Sequence, residues 1–275
     1  MYSRTGGRGV ASTFHYFSSP SAAARLRAAR VWLGDRGPMV EALIVGASRA
    51  AADELAFEVA ELRAGFTETA MTLARTALAD AGASPSGALG VEAMTTRVTF
   101  DALRTDALHY FGPVATMPGF PRAAARTLNE LQLAGVTADA LDQLGAPGAD
   151  LGRLLDGVDV EAGRAGTVTR AAAFAAATRR LRESPEVLAA TALVLLDVAI
   201  GSAADEAFVA ALVDAAQHVI VLTPAGDERT AAAFARIKAP HPAVVDRTEA
   251  VEGDGGAPAL TRLPVSDTHL TLPTN

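Results

Sequence analysis

Residues Ala42–Leu62 read ALIVGASRAAADELAFEVAEL: an apolar run, a turn of small residues, then an alanine-rich stretch in which Leu55, Val59 and Leu62 recur at helical spacing. An apolar run without polar alternation, as at Leu43–Val45, fits a strand covered on both faces, the usual situation of a parallel strand. The plan returns at Ala192–Ala216 (ALVLLDVAIGSAADEAFVAALVDAA) and at Val219–Ile237 (VIVLTPAGDERTAAAFARI). Strand–turn–helix units of this kind predict an α/β fold, a parallel sheet flanked by helices, with ligand-binding loops at the strand ends.

Composition narrows the possibilities. The chain has 275 residues, enough for one large domain or two small ones, and half of them are hydrophobic. Its 24 basic residues are 23 arginines and the single Lys238, and the net charge is −7. Any contact with nucleic acid would therefore be a local arginine patch, not a global attraction. No cysteine is present, which excludes disulfides and thiolate metal sites. The longest apolar run, Leu188–Ile200, is too short for a bilayer and contains Asp197. No secretory signal is visible, so a cytoplasmic location without membrane contact is expected.

The strands divide the chain. Residues 1–12 read as a disordered start, Thr13–Phe17 (TFHYF) as a short strand, and Ser21 as the cap of a helix to about Leu33 with Arg25, Arg27 and Arg30 on its surface. An α/β core is expected over residues 13–65 and 185–240, interrupted by a helical insertion over residues 66–184. Within the insertion, Phe66–Leu78, Gly90–Tyr110, Arg122–Ala134 and Thr169–Glu183 carry helical patterns, whereas Gly145–Gly152 and Gly163–Gly166 read as loops around a short helix. Residues 248–264 read as a Gly- and acid-rich linker. The end, Val265–Asn275, resembles translated sequencing-adapter read-through and is expected to be non-native.

Three chemistries compete for the loops. A P-loop needs glycines to wrap phosphates, a lysine for charge and a Ser or Thr for magnesium. The turn Gly46-Ala47-Ser48-Arg49-Ala50 offers one glycine, no lysine, and Arg49 as a possible anion contact at a helix start. Asp197 ends an apolar strand (LVLLD), where a motor ATPase keeps its magnesium-linked acid, but its neighbour is Val198 rather than a second acid. The same turn approximates the nucleophile elbow G-x-S-x-G, with Ser48 followed by Asp197 and then His218 or His241, which keeps a serine hydrolase open. A nicotinamide reductase lacks its glycines. No helical histidine pair suggests a metal, and Arg236 stands where an Asp…Glu-x-Lys nuclease would need an acid before Lys238. Tyr110, Phe111 and Phe120 lie in an irregular loop close to Arg122 and Arg126, which suits either base stacking or hydrophobic anchoring of the loop.

Phe111–Ala123 (FGPVATMPGFPRA), followed by Leu128–Val136 (LNELQLAGV), resembles a block of large bacterial AddB-like proteins of the PD-(D/E)XK nuclease family, related to helicase–nuclease subunits of double-strand-break repair. Ala42–Leu62 and Leu193–Glu228 resemble further parts of them, so the likeness spans roughly residues 13–235. The resemblance implies a P-loop-helicase-like N-terminal region with decayed ATPase motifs, and a nuclease domain beyond residue 264 that would make the full-length parent a DNA exonuclease. Gly46, Ser48, Arg49, Asp197, Thr223 and Asp227 match motor-like positions as relics of nucleotide binding. No catalytic residue and no cofactor is assigned to this stretch. DNA and a partner helicase–nuclease subunit are the expected partners, with Arg122 and Arg126 as candidate DNA contacts. The open alternatives are the Ser48 hydrolase and a structural α/β protein without DNA affinity.

Overall fold

A computed structural model describes residues 13–36, 40–60, 65–70, 72–74, 84–239 and 244–248. The expectations for residues 1–12 and for the linker and tail after Thr248 lie outside these described residues.

Six strands form one parallel sheet: β1 (Thr13–Ser19), β2 (Ala42–Gly46), β3 (Gly65–Glu68), β6 (Ala192–Leu196), β7 (His218–Pro224) and β8 (Val244–Thr248), in the order β3-β2-β6-β7-β1-β8. β2 and β6 are buried along their whole length, as their uninterrupted apolar sequences require. In register, Leu43 faces Leu193 and Leu193 faces Val219, while Thr13 aligns with His218 and Ser19 with Pro224.

Alternate side chains along the strands feed two cores. Ile44, Val194, Leu196, Ile220 and Leu222 meet Ala29, Trp32 and Leu33 of α1 (Ala22–Gly34) and Ala52, Leu55 and Val59 of α2 (Arg49–Val59). Phe14, Leu43, Val45, Leu193, Leu195, Val219 and Val221 face the other way. Against them lie Phe174 of α8 (Arg170–Glu183), Phe208 and Leu212 of α9 (Ala203–Ala215), and Phe234 of α10 (Glu228–Lys238). Right-handed crossovers explain this division. The chain leaves β1 and β2 toward one edge with its helices on one face, then leaves β6 and β7 toward the other edge with its helices on the opposite face. The neighbours β1/β7 and β2/β6 therefore send the chain to opposite faces at their C-terminal ends, the topological switch point at which such sheets take ligands.

Between β3 and β6 lies the helical insertion: α3 (Ala88–Arg104), the one-turn α4 (Gly112–Ala115), α5 (Phe120–Leu133), α6 (Ala138–Asp142), α7 (Ala146–Arg164) and α8. A two-residue ladder pairs β4 (Ser84–Pro85) with β5 (Thr167–Val168). The insertion has its own core of Leu108, Leu128, Leu141, Leu154, Leu155 and Val158.

Several boundaries differ from the sequence reading. Gly65–Glu68 is an edge strand beside β2, not the start of a helix, and Val244–Thr248 adds a strand beside β1 beyond the expected core limit of 240. Edge strands are stabilised by one neighbour only, so pairing decides them rather than local periodicity. Gly145–Gly152, expected as a loop, is mostly the first half of the 19-residue α7. Two of its glycines serve close packing: a Cβ on Gly148 would overlap the Leu141 carbonyl, and one on Gly157 would lie 2.5 Å from a Val98 methyl.

Candidate functional site at the C-terminal edge of the sheet

β1 ends at Ser19, and the chain turns through Pro20 into α1. Ser21 caps that helix, its hydroxyl accepting the Ala24 N–H at 3.2 Å, while Ser19 Oγ accepts the Ser21 N–H at 3.2 Å. One turn into α1 is Arg25. The helix places Arg25, Ala29, Trp32 and Leu33 on one stripe, all buried. The expectation that Arg25 lies on the helix surface is therefore corrected: it is 6 % exposed. Its guanidinium reaches under the turn to the end of β6, donating from Nε to Asp197 Oδ1 at 2.7 Å and from Nη2 to Oδ2 at 2.9 Å. The remaining fork nitrogen, Nη1, donates to the Ser19 carbonyl at 2.6 Å.

Asp197 is shaped for this partner. Its backbone lies in the left-handed region at φ 56°, a conformation that aspartate tolerates better than most residues. Its N–H still donates to the Leu222 carbonyl of β7 at 2.9 Å. The strand thus ends in register, and the turn returns the carboxylate toward α1. A bidentate, mostly buried pair of this kind satisfies both carboxylate oxygens with one planar cation.

The β2–α2 turn sits beside it, with the Ala47 N–H donating to the Leu196 carbonyl at 2.9 Å. Gly46 is required there, because a Cβ would stand 2.8 Å from the Ser48 carbonyl oxygen and 3.0 Å from the Ala52 nitrogen. Ser48 Oγ caps α2 by accepting the Ala51 N–H at 3.2 Å. Arg49 is paired with Asp53 at 3.2 Å and Glu68 at 3.5 Å. The Thr67 hydroxyl, together with Arg49, holds the Asp53 carboxyl below its ordinary range. At the end of β7, the buried Thr223 hydroxyl donates to Tyr16 Oη at 2.9 Å. Asp227 caps α10 through the Thr230 N–H at 3.0 Å, and Thr230 Oγ1 accepts the Ile200 N–H at 3.0 Å.

The structure therefore brings Gly46, Ser48, Arg49, Asp197, Thr223 and Asp227 to one edge of the sheet, where the polar side chains are engaged not by one another but by Ala51, Asp53, Glu68, Arg25, Tyr16 and Thr230. The turn nearest Asp197 through a side chain is the one after β1, which sequence reasoning passed over for the turn after β2. A signal was present: Arg25 lies on the same helical stripe as Ala29, Trp32 and Leu33, so its burial follows from the period. The β1–α1 turn, Ser18-Ser19-Pro20-Ser21-Ala22, contains no glycine, and Pro20 has no N–H to offer a phosphate. Lys238 has its Nζ 5.2 Å over the Tyr16 ring.

His218 does not approach Ser48. It begins β7 with Nδ1 3.0 Å from the Thr13 hydroxyl, level with Ala192, whereas Gly46 aligns with Leu196. Four residues of strand separate the two levels, about 13 Å. Burial, and then Arg36, lower the His218 pKa. His241 lies outside the described residues. Among the described residues no group of three or more His, Asp and Glu side chains is arranged to hold a metal ion, and no helix is long and apolar enough to cross a membrane. Arg122 and Arg126 are one turn apart on α5, both exposed and without an ion-pair partner among the described residues.

No protein-family model matches the chain, and no curated protein matches it.

Proposed function

We propose that this chain is a helicase-like scaffold that does not turn over nucleotide: the N-terminal region of an AddB-like helicase–nuclease subunit that holds or guides DNA and supports a partner motor in the cytoplasm. One observation carries the reading. The acid at the end of β6, where a motor would hold magnesium, has both oxygens engaged by Arg25 of the same chain. A metal ion there would have to displace a buried guanidinium that also holds the Ser19 carbonyl. The adjacent β1–α1 turn has no glycine and no lysine, so it lacks the backbone nest and the cation with which a motor orders a triphosphate.

The test is phosphate release from magnesium-ATP by the purified chain, with and without single-stranded DNA. None above background is expected. Magnesium-dependent release that Asp197→Ala abolishes would overturn the proposal. A gel shift at low salt should show weak DNA binding that declines as salt rises. No shift at any salt would leave a structural α/β protein without DNA affinity.

A further inference from the structure

The loop between α3 and α5 is fixed from beneath. Asp150 on α7, 1 % exposed, accepts the backbone N–H of His109 at 3.1 Å, Tyr110 at 2.8 Å and Phe111 at 2.9 Å. Burial would raise its carboxyl pKa, but these N–H groups and then Arg153 outweigh that and hold it below the ordinary range. Charge-assisted bonds to three consecutive amides leave this backbone little freedom.

The pinned loop presents large apolar side chains to solvent. Tyr110 is 56 % exposed, Val114 46 % and Met117 58 %. Phe111 meets the Tyr110 ring edge-on at 4.9 Å, and Phe120 stands 5.8 Å from Phe111 and packs on the insertion core. The anchoring role expected of these aromatics thus falls to Phe111 and Phe120, and Tyr110 is left over. Beyond Phe120, α5 turns Ala124, Ala125 and Leu128 inward, with Arg122 and Arg126 outside. Elsewhere Arg49, Arg97, Arg153 and Arg236 pair with carboxylates, whereas Arg27 with Arg30 and Arg179 with Arg182 are, like Arg122 with Arg126, exposed neighbours without an ion-pair partner among the described residues; what sets Arg122 and Arg126 apart is the exposed Tyr110, Val114 and Met117 that precede them. Glu130, one turn further along α5, is the nearest acid on that helix in sequence.

We propose that this surface is a docking platform for single-stranded DNA, with a base stacked on Tyr110 beside Val114 and Met117 and the backbone phosphates against Arg122 and Arg126. The inference rests on the DNA-holding role proposed above and names the strand form and the residues. A flat apolar face next to repeating negative charge is the chemistry of an unpaired strand. A duplex hides its base faces and would use the arginines alone. An apolar protein partner would use the tyrosine and leave the arginines uncompensated.

The test is a fluorescence-anisotropy titration of the whole chain with labelled oligothymidylate, and with a duplex of equal length, over a range of salt. The single strand should bind more tightly. Tyr110→Ala should weaken it by about 5- to 150-fold, and Tyr110→Phe should keep it, because stacking needs the ring and not the hydroxyl. Arg122→Gln with Arg126→Gln should reduce the slope of log affinity against log salt by about 1.4, the release expected for two phosphates. The arginines are exposed and Tyr110 mostly so, so melting temperatures should move by no more than the loss of the Tyr110–Phe111 ring contact. Wild-type binding that Tyr110→Ala leaves unchanged, or a salt slope indifferent to the arginines, would overturn the platform and leave the DNA-holding role standing. Absence of wild-type binding would overturn both. A Tyr110→Ala variant that loses self-association in sedimentation while binding DNA normally would identify a protein interface and overturn the platform.

Discussion

Arg25 places on Asp197 the positive charge that an open site would leave for a ligand. The arrangement is sensitive to losing one member, because the survivor stays buried with its charge uncompensated. Arg25→Met should destabilise the fold by about 3 kcal/mol, at the low end for a buried pair since the Asp197 side chain keeps 27 % exposure. Asp197→Leu alone should cost more, by stranding Arg25 and by placing a leucine in the left-handed backbone at φ 56°. The double variant should be more stable than either single one, because the apolar pair has no charge to strand. Urea denaturation of the four proteins measures the cycle. Additive costs in the double variant would mean that the two side chains contribute independently, and that the ion pair does not organise the edge.

At the scale of elements, α7 shows a helix whose glycines sequence reading takes for breaks. Glycine costs about 1 kcal/mol relative to alanine inside a helix, which argues for a loop when the partner is unseen. The partner supplies the reason: α6 and α3 approach so closely that Gly148 and Gly157 leave no room for a side chain. Gly148→Ala should therefore destabilise by about 1–3 kcal/mol in spite of its better propensity, since the methyl meets the Leu141 carbonyl rather than a mobile side chain. Gly163 lies in the same helix and is exposed, and a methyl group added there would meet nothing within 4 Å. Gly163→Ala should stabilise by about 0.5–1 kcal/mol. Thermal melts of the two variants should move in opposite directions. Stabilisation by both would mean that propensity alone governs α7.

At the scale of the whole molecule, what could be read in advance was what a local period carries. Leu43–Val45, Leu193–Leu196 and Val219–Leu222 announce buried parallel strands, and the caps Ser21 and Ser48 announce helix starts, whereas the cap Asp227 reads in the sequence only as a nucleotide-binding position. The order β3-β2-β6-β7-β1-β8 could not be read so, because it joins distant residues, Thr13 and His218 lying 205 apart. Nor could the Arg25–Asp197 pair, which spans 172 residues and needs both faces of the sheet to be assigned first. The division into layers also makes a prediction about how the molecule opens. The insertion core around Leu154 and Val158 shares no residue with either sheet core, whereas α8, through Phe174 and Ala177, belongs to the sheet. Hydrogen exchange should therefore find the amides of β6 and β7 protected to the global limit, with α8 opening alongside them. Residues 146–164 should open earlier, in a smaller cooperative step with a weaker denaturant dependence. The break is expected between α7 and α8, at the short β5 ladder, where only two residues pair on each side. Exchange of 146–164 and 192–196 in a single step, with one denaturant slope, would show that the insertion and the sheet are one folding unit.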